Sequence, residues 1–160
     1  MKTRDYIRTS ILVILALVFT VQKGYGPLVL SLWFIFIFVL IYNLIRMTCK
    51  PDERKKRGIR MAIWLVALSV GAAVQSYWAS GTSKEADKVA KLVLDYQIRK
   101  GAYPANLAEA GLDEKTLESE WDIRYFMREG KPVLVYPAPY MPLTTYDYDF
   151  DKHTWQENSY

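Results

Sequence analysis

Three carboxylates near the C-terminus are the side chains whose spacing comes nearest to a chemical motif. Asp147, Asp149 and Asp151 alternate with aromatic residues in the stretch Tyr-Asp-Tyr-Asp-Phe-Asp. Alternate residues of a strand point to opposite faces, so the carboxylates would share one face and the aromatic rings the other. One interpretation is a solvent-facing polar side above a buried aromatic side. The other is a calcium site, because carboxylate oxygens are ligands that Ca²⁺ prefers.

The details of this segment favour the solvent-facing interpretation. A calcium loop of the common twelve-residue kind needs Gly at its sixth position and a bidentate Glu at its twelfth. Counted from Asp147, Lys152 and Asn158 occupy these positions. A regular strand also holds alternate carboxylates too far apart to converge on one ion without bending. Calcium on Asp147, Asp149 and Asp151 is therefore the second interpretation, and the first expectation is that no cofactor is bound.

Other residues with catalytic potential are few and scattered. His153 is the only histidine, which excludes a two-histidine metal site within one chain. Cys49 is the only cysteine, so the chain forms no internal disulfide and its C-terminal half has no thiol nucleophile. No serine stands in a Gly-x-Ser-x-Gly context. The sequence predicts a protein that is not an enzyme, with a metal-binding enzyme subunit as an alternative.

Aromatic side chains concentrate around a proline-rich segment at residues 137–142. Tyr and Trp supply large contact areas at low entropic cost, which suits both a domain core and a protein-recognition patch. Part of this set is expected to be core, and the part left on the surface is the candidate partner-binding site. The set comprises Tyr136, Tyr140, Met141, Tyr146, Tyr148 and Trp155.

The charges divide the chain into two unlike halves. Residues 1–79 carry eleven Lys or Arg against three Asp or Glu, whereas residues 80–160 carry ten against fourteen. The overall charge of +4 is therefore an average over a basic half and an acidic half. The positive residues of the first half lie at the ends of apolar runs and not on a folded surface, which argues against nucleic-acid binding.

Three apolar runs in the first half each predict a transmembrane helix. The helices are expected at about residues 7–22, 27–46 and 60–79. A bilayer core of about 30 Å needs around 20 helical residues, which the second and third runs supply. The first run is short enough to be a signal-peptide core. We reject that alternative because no small-x-small cleavage site follows the run, and Gln22 to Pro27 is typical of a turn.

The positions of Lys and Arg predict the orientation of these helices. Positive residues flank the start of the first helix and fill the loop 48–60, whereas the turn between the first two helices holds Lys23 alone. By the positive-inside rule the N-terminus and the loop are cytoplasmic, which places residues 80–160 in the periplasm, outside a bacterial inner membrane. The loop is either a topology signal alone or also a site for anionic lipids. Residues 9–22, 27–45 and 61–79 contain no Asp, Glu, Lys, Arg or His, which argues against a transporter or channel.

Small residues recur at four-residue spacing in the third predicted helix and allow another helix to approach closely. The two pairs are Ala67 with Gly71 and Ala72 with Ser76. Their partner is expected to be a helix of the same bundle or, alternatively, a helix of another chain. Asn43 and Gln75 are candidates for hydrogen bonds between helices, although each lies near a helix end where water could satisfy it.

An amphipathic helix, separate from the three apolar ones, is predicted where the C-terminal half begins. The stretch Ser-Gly-Thr-Ser at 80–83 predicts a break in the chain, and Thr82 with Glu85 fits a capping box that starts a new helix. Gly101 ends this helix in the position expected for a left-handed cap. The apolar face comprises Ala86, Val89, Ala90, Val93 and Tyr96.

The residues after this helix predict a short helix and then antiparallel strands. Asn106 and Glu109 form a second capping box, for a helix closed by Gly111. Two hairpins are expected, one from 123–127 and 132–136, the other from 144–151 and 154–156. The predicted fold is three transmembrane helices followed by a small α+β domain at residues 80–160. In that domain an amphipathic helix packs on an antiparallel sheet of three or four strands.

The junction between helix and sheet carries a family resemblance. The Gly-x-Tyr-Pro-x-x-Leu motif formed by Gly101, Tyr103, Pro104 and Leu107 resembles the turn that follows the long helix of type IV pilins and type II secretion pseudopilins. The resemblance covers about residues 83–156. It implies a helix packed on an antiparallel sheet, and it adds some weight to calcium because some pseudopilins bind this ion in their C-terminal loops.

The membrane half departs from that family. Pilins have one N-terminal helix behind a leader cut after Gly, with Glu at the fifth mature position. If Gly58 marked such a cut, Ile63 would stand at the fifth position and two predicted helices would precede it. The resemblance therefore implies a pilin-like domain on an atypical three-helix anchor, and not a subunit that polymerises into a pilus.

Two functions are expected for such a chain, and both rest on binding another protein in the periplasm or membrane. One is an accessory part of an envelope secretion or pilus-type assembly. The other is an immunity protein that neutralises a toxin delivered to the periplasm or membrane. Short length, an acidic exported half and the lack of a catalytic set suit both. The chain's other expected partner is the lipid bilayer.

Overall fold

The computed structural model describes residues 3–159. The chain divides between Tyr77 and Trp78 into two compact units. The first is helical, and the second combines helix with a four-stranded antiparallel sheet, which makes it an α+β fold. The helices are α1 (Thr3–Thr20), α2 (Gly26–Cys49), α3 (Arg54–Lys100) and α4 (Glu114–Trp121), with short 3-10 turns at Pro51–Glu53 and Leu107–Ala110. The strands are β1 (Arg124–Arg128), β2 (Lys131–Pro137), β3 (Thr144–Asp149) and β4 (Thr154–Ser159).

Among the described residues, two helical segments are long and apolar enough to cross a membrane, judged by length and composition. They are Gly26–Cys49 and Pro51–Lys100, and the second includes α3. The apolar part of α1, Ile7–Thr20, is shorter, and at 1.5 Å per residue it covers about 21 Å of the roughly 30 Å bilayer core. The three expected spans therefore stay a prediction.

Large apolar side chains cover the outside of these helices. Ile14, Phe34 and Val66 are 59%, 65% and 63% exposed. Only a few side chains, among them Val29 and Leu68, are buried between the helices. Exposure of apolar surface to water is unfavourable in proportion to its area, so this exterior is typical of helices that face lipid.

A polar contact joins α1 to α3 within the first unit. Gln75 donates hydrogen bonds from Nε2 to the backbone carbonyls of Thr20, at 2.8 Å, and Gln22, at 2.6 Å. The last carbonyls of a helix lack partners within the helix, and this side chain supplies one. Gly71 lies one turn away, where a Cβ would stand 2.9 Å from Oγ1 of the buried Thr20. Of the two expected small-residue pairs, Ala67 with Gly71 is buried within the bundle, whereas Ala72 is half-buried and Ser76 is exposed.

A second polar contact connects the end of α2 to the start of α3. Arg57 donates from Nη1 to Oδ1 of Asn43 at 2.9 Å and from Nε to Oε2 of Glu53 at 2.8 Å. The hydrogen bond from Arg57, with its positive charge, holds the pKa of Glu53 below its usual range. Both polar residues that the sequence singled out, Asn43 and Gln75, thus bond to protein groups across helices.

The expected helix break at 80–83 was wrong. α3 continues without interruption from Arg54 to Lys100, so Thr82 is a buried residue inside it and not a cap. Glu85 accepts instead from Nζ of Lys88 at 2.7 Å. Gly81 has a packing role, because a Cβ there would lie 2.7 Å from Cζ3 of Trp121. A glycine inside a helix costs about 1 kcal/mol relative to alanine, and here the contact with the Trp121 ring explains it.

The core of the second unit forms on the apolar face of α3 that the sequence predicts. Ala86, Val89, Ala90 and Val93 are buried, whereas Tyr96 is half-buried. Small side chains at these positions let the rest of the core lie close to the helix axis. The buried residues that join them are Leu107, Leu117, Ile123, Tyr125, Leu134, Tyr136 and Phe150.

The sheet is a simple meander in the order β1-β2-β3-β4, with every pair antiparallel. The first hairpin is confirmed, and its two turn residues Glu129 and Gly130 both have positive φ, at 53° and 79°, as a tight type I′ turn requires. Asn106 caps the short helix by accepting from the Glu109 backbone N–H, and the left-handed Gly111 closes it, as expected.

Two features of the second unit differ from the sequence expectation. β3 ends at Asp149, so residues 150 and 151 belong to the turn, and β4 extends to Ser159. The helix α4 was not predicted, because in eight residues it offers only Leu117 and Trp121 as apolar signals. Asp113 caps it by accepting from the backbone N–H of Lys115 at 3.2 Å.

We expect Gly71→Val to lower the stability of the first unit by about 1–3 kcal/mol, because the new side chain overlaps the buried Thr20. Thermal unfolding of the full chain in detergent micelles, followed by circular dichroism at helix wavelengths, measures this loss. Ala73→Val is the matched control, since Ala73 is exposed on the same helix. Equal unfolding midpoints for the two variants would contradict the close approach of α1 and α3.

Candidate functional site

The side of the sheet that faces α3 carries most of the expected partner-binding aromatics. The ring of Tyr136 lies 5.3 Å from that of Tyr146 and 4.9 Å from that of Trp155, measured between centroids. The ring of Tyr148 lies 4.9 Å from Trp155 and 4.8 Å from Phe150. Tyr136 is buried, and Tyr146, Tyr148 and Trp155 are half-buried against the core. These four residues therefore hold the sheet on the helix, and their rings face each other.

Hydrogen bonds from this aromatic cluster fix the sheet against α3. Trp155 donates from Nε1 to Oδ1 of Asp87 at 2.7 Å. Burial raises the pKa of Tyr136, and a side-chain hydrogen bond with Ser83 opposes that rise. One residue of β4 and one of β2 are thus joined to successive turns of the helix.

A further hydrogen bond attaches β1 to the turn after α3. The Tyr125 hydroxyl donates to the Pro104 carbonyl at 2.7 Å, and both residues are buried. Burial raises the pKa of Tyr125 to about 12. The neighbouring ring of Tyr103 packs edge-on against Phe150, with 5.4 Å between centroids. The Tyr-Pro pair of the motif therefore closes the far end of the core.

The opposite side of the sheet carries two of the three expected metal ligands, and each has protein partners. Asp147 accepts from Oγ1 of Thr145 at 2.8 Å and from Nδ2 of Asn158 at 2.7 Å. Asp149 accepts from Nε2 of Gln156 at 2.7 Å. The bonds from Asn158 and Gln156 join β3 to β4, whereas the bond from Thr145 lies within β3.

Asp149 also organises the turn between β3 and β4. Its Oδ1 accepts from the backbone N–H groups of Asp151 and Lys152, both at 3.0 Å. The hydrogen bond from the Lys152 backbone N–H has the largest effect in holding the pKa of Asp149 below its usual range, and the Lys152 side chain and the Asp151 backbone N–H act in the same direction. His153, the only histidine, ends this turn, exposed and with a positive φ of 56°.

The structure does not bring the three aspartates together on one face. Phe150 is buried in the core, and the chain turns there, which removes Asp151 from the alternation. Within residues 3–159, no group of three or more His, Cys, Asp or Glu side chains is placed to hold a metal ion. Asp147 and Asp149 act in the described structure as hydrogen-bond acceptors that tie strands and a turn.

The β1–β2 half of the outer sheet face is apolar at its centre and basic around it. Phe126 is 44% exposed and pairs across strands with the half-buried Val133. Val135 stands beside them, opposite Arg124. Arg128 pairs with Lys131 at the hairpin end, and Arg124 forms an ion pair with Glu118 at 3.0 Å. We call the six residues of this half the outer patch: Arg124, Phe126, Arg128, Lys131, Val133 and Val135.

Sequence reasoning missed the outer patch because apolar residues stand on both faces of β1 and β2. Tyr125 and Phe126, and likewise Val133 and Leu134, are neighbours in the chain and point to opposite sides. Without a strict alternation, the sequence does not say which face packs on the helix. The signal that was available is the alternation of Phe126 with Arg124 and Arg128, which places an aromatic side chain on an otherwise basic face of the strand.

The two remaining residues of the expected set, Tyr140 and Met141, lie in the loop at residues 138–143 between β2 and β3. Tyr140 is half-buried and Met141 is 56% exposed. Leu143, which was not singled out, is 77% exposed and has a φ of 62°. The Ala138 N–H donates to the Thr144 carbonyl at 2.9 Å and closes the loop.

No protein-family model, curated protein or solved structure matches this chain.

We expect the stability of the second unit to fall as pH rises from 10.0 toward about 12, in part through Tyr125. Its folded-state pKa lies above the unfolded value of 10.0, so the folded protein keeps a proton that the unfolded chain has lost. This contribution to stability is complete below the unfolded pKa and is lost as pH passes the folded pKa.

Near-UV circular dichroism of the full chain in micelles, recorded during thermal unfolding across this pH range, measures the effect. The Tyr125→Phe variant lacks the titrating hydroxyl and should lose less stability over the same interval than the parent chain. Parallel pH dependence in the two proteins would rule out burial of the Tyr125 hydroxyl.

Proposed function

We propose that this protein is a non-enzymatic component of a bacterial inner membrane whose C-terminal unit binds another protein in the periplasm. Its helices act as the anchor, and the outer patch is the binding surface. Within the classes that the sequence suggests, an accessory part of an envelope secretion or pilus-type assembly fits best. The observation that carries the proposal is the exposed Phe126 at the centre of a partly apolar sheet face.

The membrane anchor is supported by the apolar exterior of the first unit and by the charges at its ends. α2 and the first part of α3 are long and apolar, and the loop between them carries the basic residues. The crossing by α3 places the second unit on the opposite side of the membrane from that loop, and a third crossing by α1 returns the N-terminus to the side of the loop. The contacts of Gln75 with the end of α1 support the proposal that α1 lies in the same bundle.

The outer patch supports binding of a protein for two physical reasons. Aromatic and arginine side chains are enriched at the energetic centres of protein interfaces. A sheet face is preorganised, so little conformational entropy is lost when a partner covers it. The patch holds three basic residues although the half of the chain it belongs to is acidic, and a partner with acidic groups around an apolar contact would complement it.

The resemblance to pseudopilins gives the proposal its biological setting. An uninterrupted helix that leads through Gly101, Tyr103 and Pro104 into an antiparallel meander is the order that the resemblance implies. The helices that precede α3 distinguish the chain from a polymerising subunit. An accessory subunit, held in the membrane by its own bundle, accounts for both.

We expect a reporter that is active only in the periplasm to be active when fused after Tyr160 and silent when inserted near Lys55. One crossing, by α3, separates these positions, and the basic loop remains on the cytoplasmic side. Enzyme activity of both fusions in intact bacteria measures the topology, with immunoblots to show equal expression. Activity at both positions, or at neither, would contradict the crossing by α3.

We also expect Phe126→Ala to weaken partner binding about tenfold or more, as loss of a central aromatic contact does. A photoreactive amino acid at position 126 of the full chain in native membranes identifies the partner by cross-linking. Affinity of that purified partner for the parent and variant chains then gives the change. An assembly component supports the proposal, whereas a toxin would assign the chain to the immunity class instead.

Two further variants test whether the outer patch itself makes this contact. Arg128→Glu combined with Lys131→Glu reverses the charge at the hairpin end and should weaken binding of an acidic partner, most strongly at low salt, where the charges are least screened. Ile98→Ala is the matched control, because Ile98 is exposed on α3 and outside the patch. Equal affinity of all four chains would reject the outer patch as the binding surface.

A further inference from the structure

The loop at residues 138–143 projects apolar side chains that the fold does not use. Leu143 is 77% exposed and Met141 is 56% exposed. Leu143 also has a φ of 62°, in the left-handed region that residues other than glycine, asparagine and aspartate rarely occupy. Neither burial nor backbone preference explains a leucine at this position, and such an outlier is a reason to look for a function.

The loop is stiff and uncharged. Its sequence is Ala-Pro-Tyr-Met-Pro-Leu, in which the two prolines restrict the backbone. The hydrogen bond between the Ala138 N–H and the Thr144 carbonyl, at 2.9 Å, closes its base. A preformed apolar tip loses little conformational entropy when it enters another phase or surface.

The position of the loop within the second unit indicates what it meets. The loop follows β2 directly after Pro137, and the preceding residue, Tyr136, forms a hydrogen bond with Ser83 of α3. Near the same part of the helix, the ring of Trp78 lies 6.4 Å from that of Trp121. The tip therefore lies at the end of this unit where the chain enters it, directly after the apolar run that ends at about residue 79.

We propose that Met141 and Leu143 insert into the interfacial layer of the outer leaflet and hold the C-terminal unit against the bilayer surface. This inference rests on the proposed function only in that α3 crosses the membrane. Trp78 then marks the interface, where aromatic rings are enriched. The loop stands at the same end of the unit, and its uncharged, apolar tip matches the chemistry of the headgroup and acyl boundary.

The experiment uses the full chain in phosphatidylethanolamine and phosphatidylglycerol vesicles, with Cys49→Ser to remove the only native thiol. An environment-sensitive fluorophore is attached at Leu143→Cys and, separately, at Met141→Cys, so that one misfolded variant does not decide the result. Quenching by lipids spin-labelled at two depths locates each probe. Ile98→Cys is the matched control, because Ile98 is 76% exposed near the opposite end of the unit's helix.

We expect the probes at 141 and 143 to lie roughly 5–10 Å below the lipid phosphates, the depth that interfacial apolar surfaces reach. The probe at 98 should remain in water. If the probes at 141 and 143 are as weakly quenched as that at 98, insertion of the loop is rejected.

A fourth probe separates this result from failure of the membrane anchor. Phe38→Cys places the fluorophore on the exposed side of α2, within its apolar stretch. Strong deep quenching at 38 with none at 141 or 143 rejects the loop insertion and leaves the anchor intact. No quenching at 38 rejects the membrane span, and the proposed insertion with it.

Discussion

The C-terminal unit depends on one contact, the packing of its sheet on a narrow face of α3. Ala86, Val89, Ala90 and Val93 form that face, and their small side chains bring the aromatic rings of the sheet close to the helix. Two side-chain hydrogen bonds also join the sheet to this part of the helix, one between Ser83 and Tyr136 and one between Asp87 and Trp155. Unlike apolar packing, these bonds are directional, so they fix the register of sheet against helix. With the register fixed, the unit has one defined inner face and one defined outer face.

The first part of the same helix has a different pattern of exposed side chains. There the apolar side chains, such as Val66, point outward, and the contacts with other helices are made by Gly71 and Gln75. Within α3 the pattern thus changes from an apolar exterior to a single apolar face. The change takes place without a break in the hydrogen-bonded backbone, since Thr82 and Gly81 are helical. A helix tolerates this because its backbone hydrogen bonds are satisfied within the helix, whatever surrounds its side chains.

Sequence patterns predicted the parts of this fold that are determined locally. The spacing of alanine and valine on α3 marked the buried face, Glu129 and Gly130 marked a hairpin, and Gly111 marked a cap. The break at 80–83 failed because Gly81 is needed by Trp121, forty residues later, and a local signal carries no information about that contact. The prediction that Asp147, Asp149 and Asp151 share one face was wrong for Asp151 for the same kind of reason. The chain turns at Phe150, whose ring is buried in the core.

The candidate site was harder to predict than the fold, because the sequence does not say which aromatic rings pack in the core and which remain exposed. Four of these rings pack on one another and on the core: Tyr136, Tyr146, Tyr148 and Trp155. Phe126 is also an aromatic residue of a strand, but it lies on the opposite face of the sheet. Only the register between strands separates these cases.

The division of polar and apolar groups over the outer surface bears on what the unit does. Asp147 and Asp149, the side chains best suited to chemistry, accept hydrogen bonds from neighbouring residues and from a turn. Phe126, Met141 and Leu143 have no such use in the described part of the chain, and each exposes apolar surface to solvent at a cost. Exposed apolar groups on a stiff scaffold are typical of a surface that contacts another molecule.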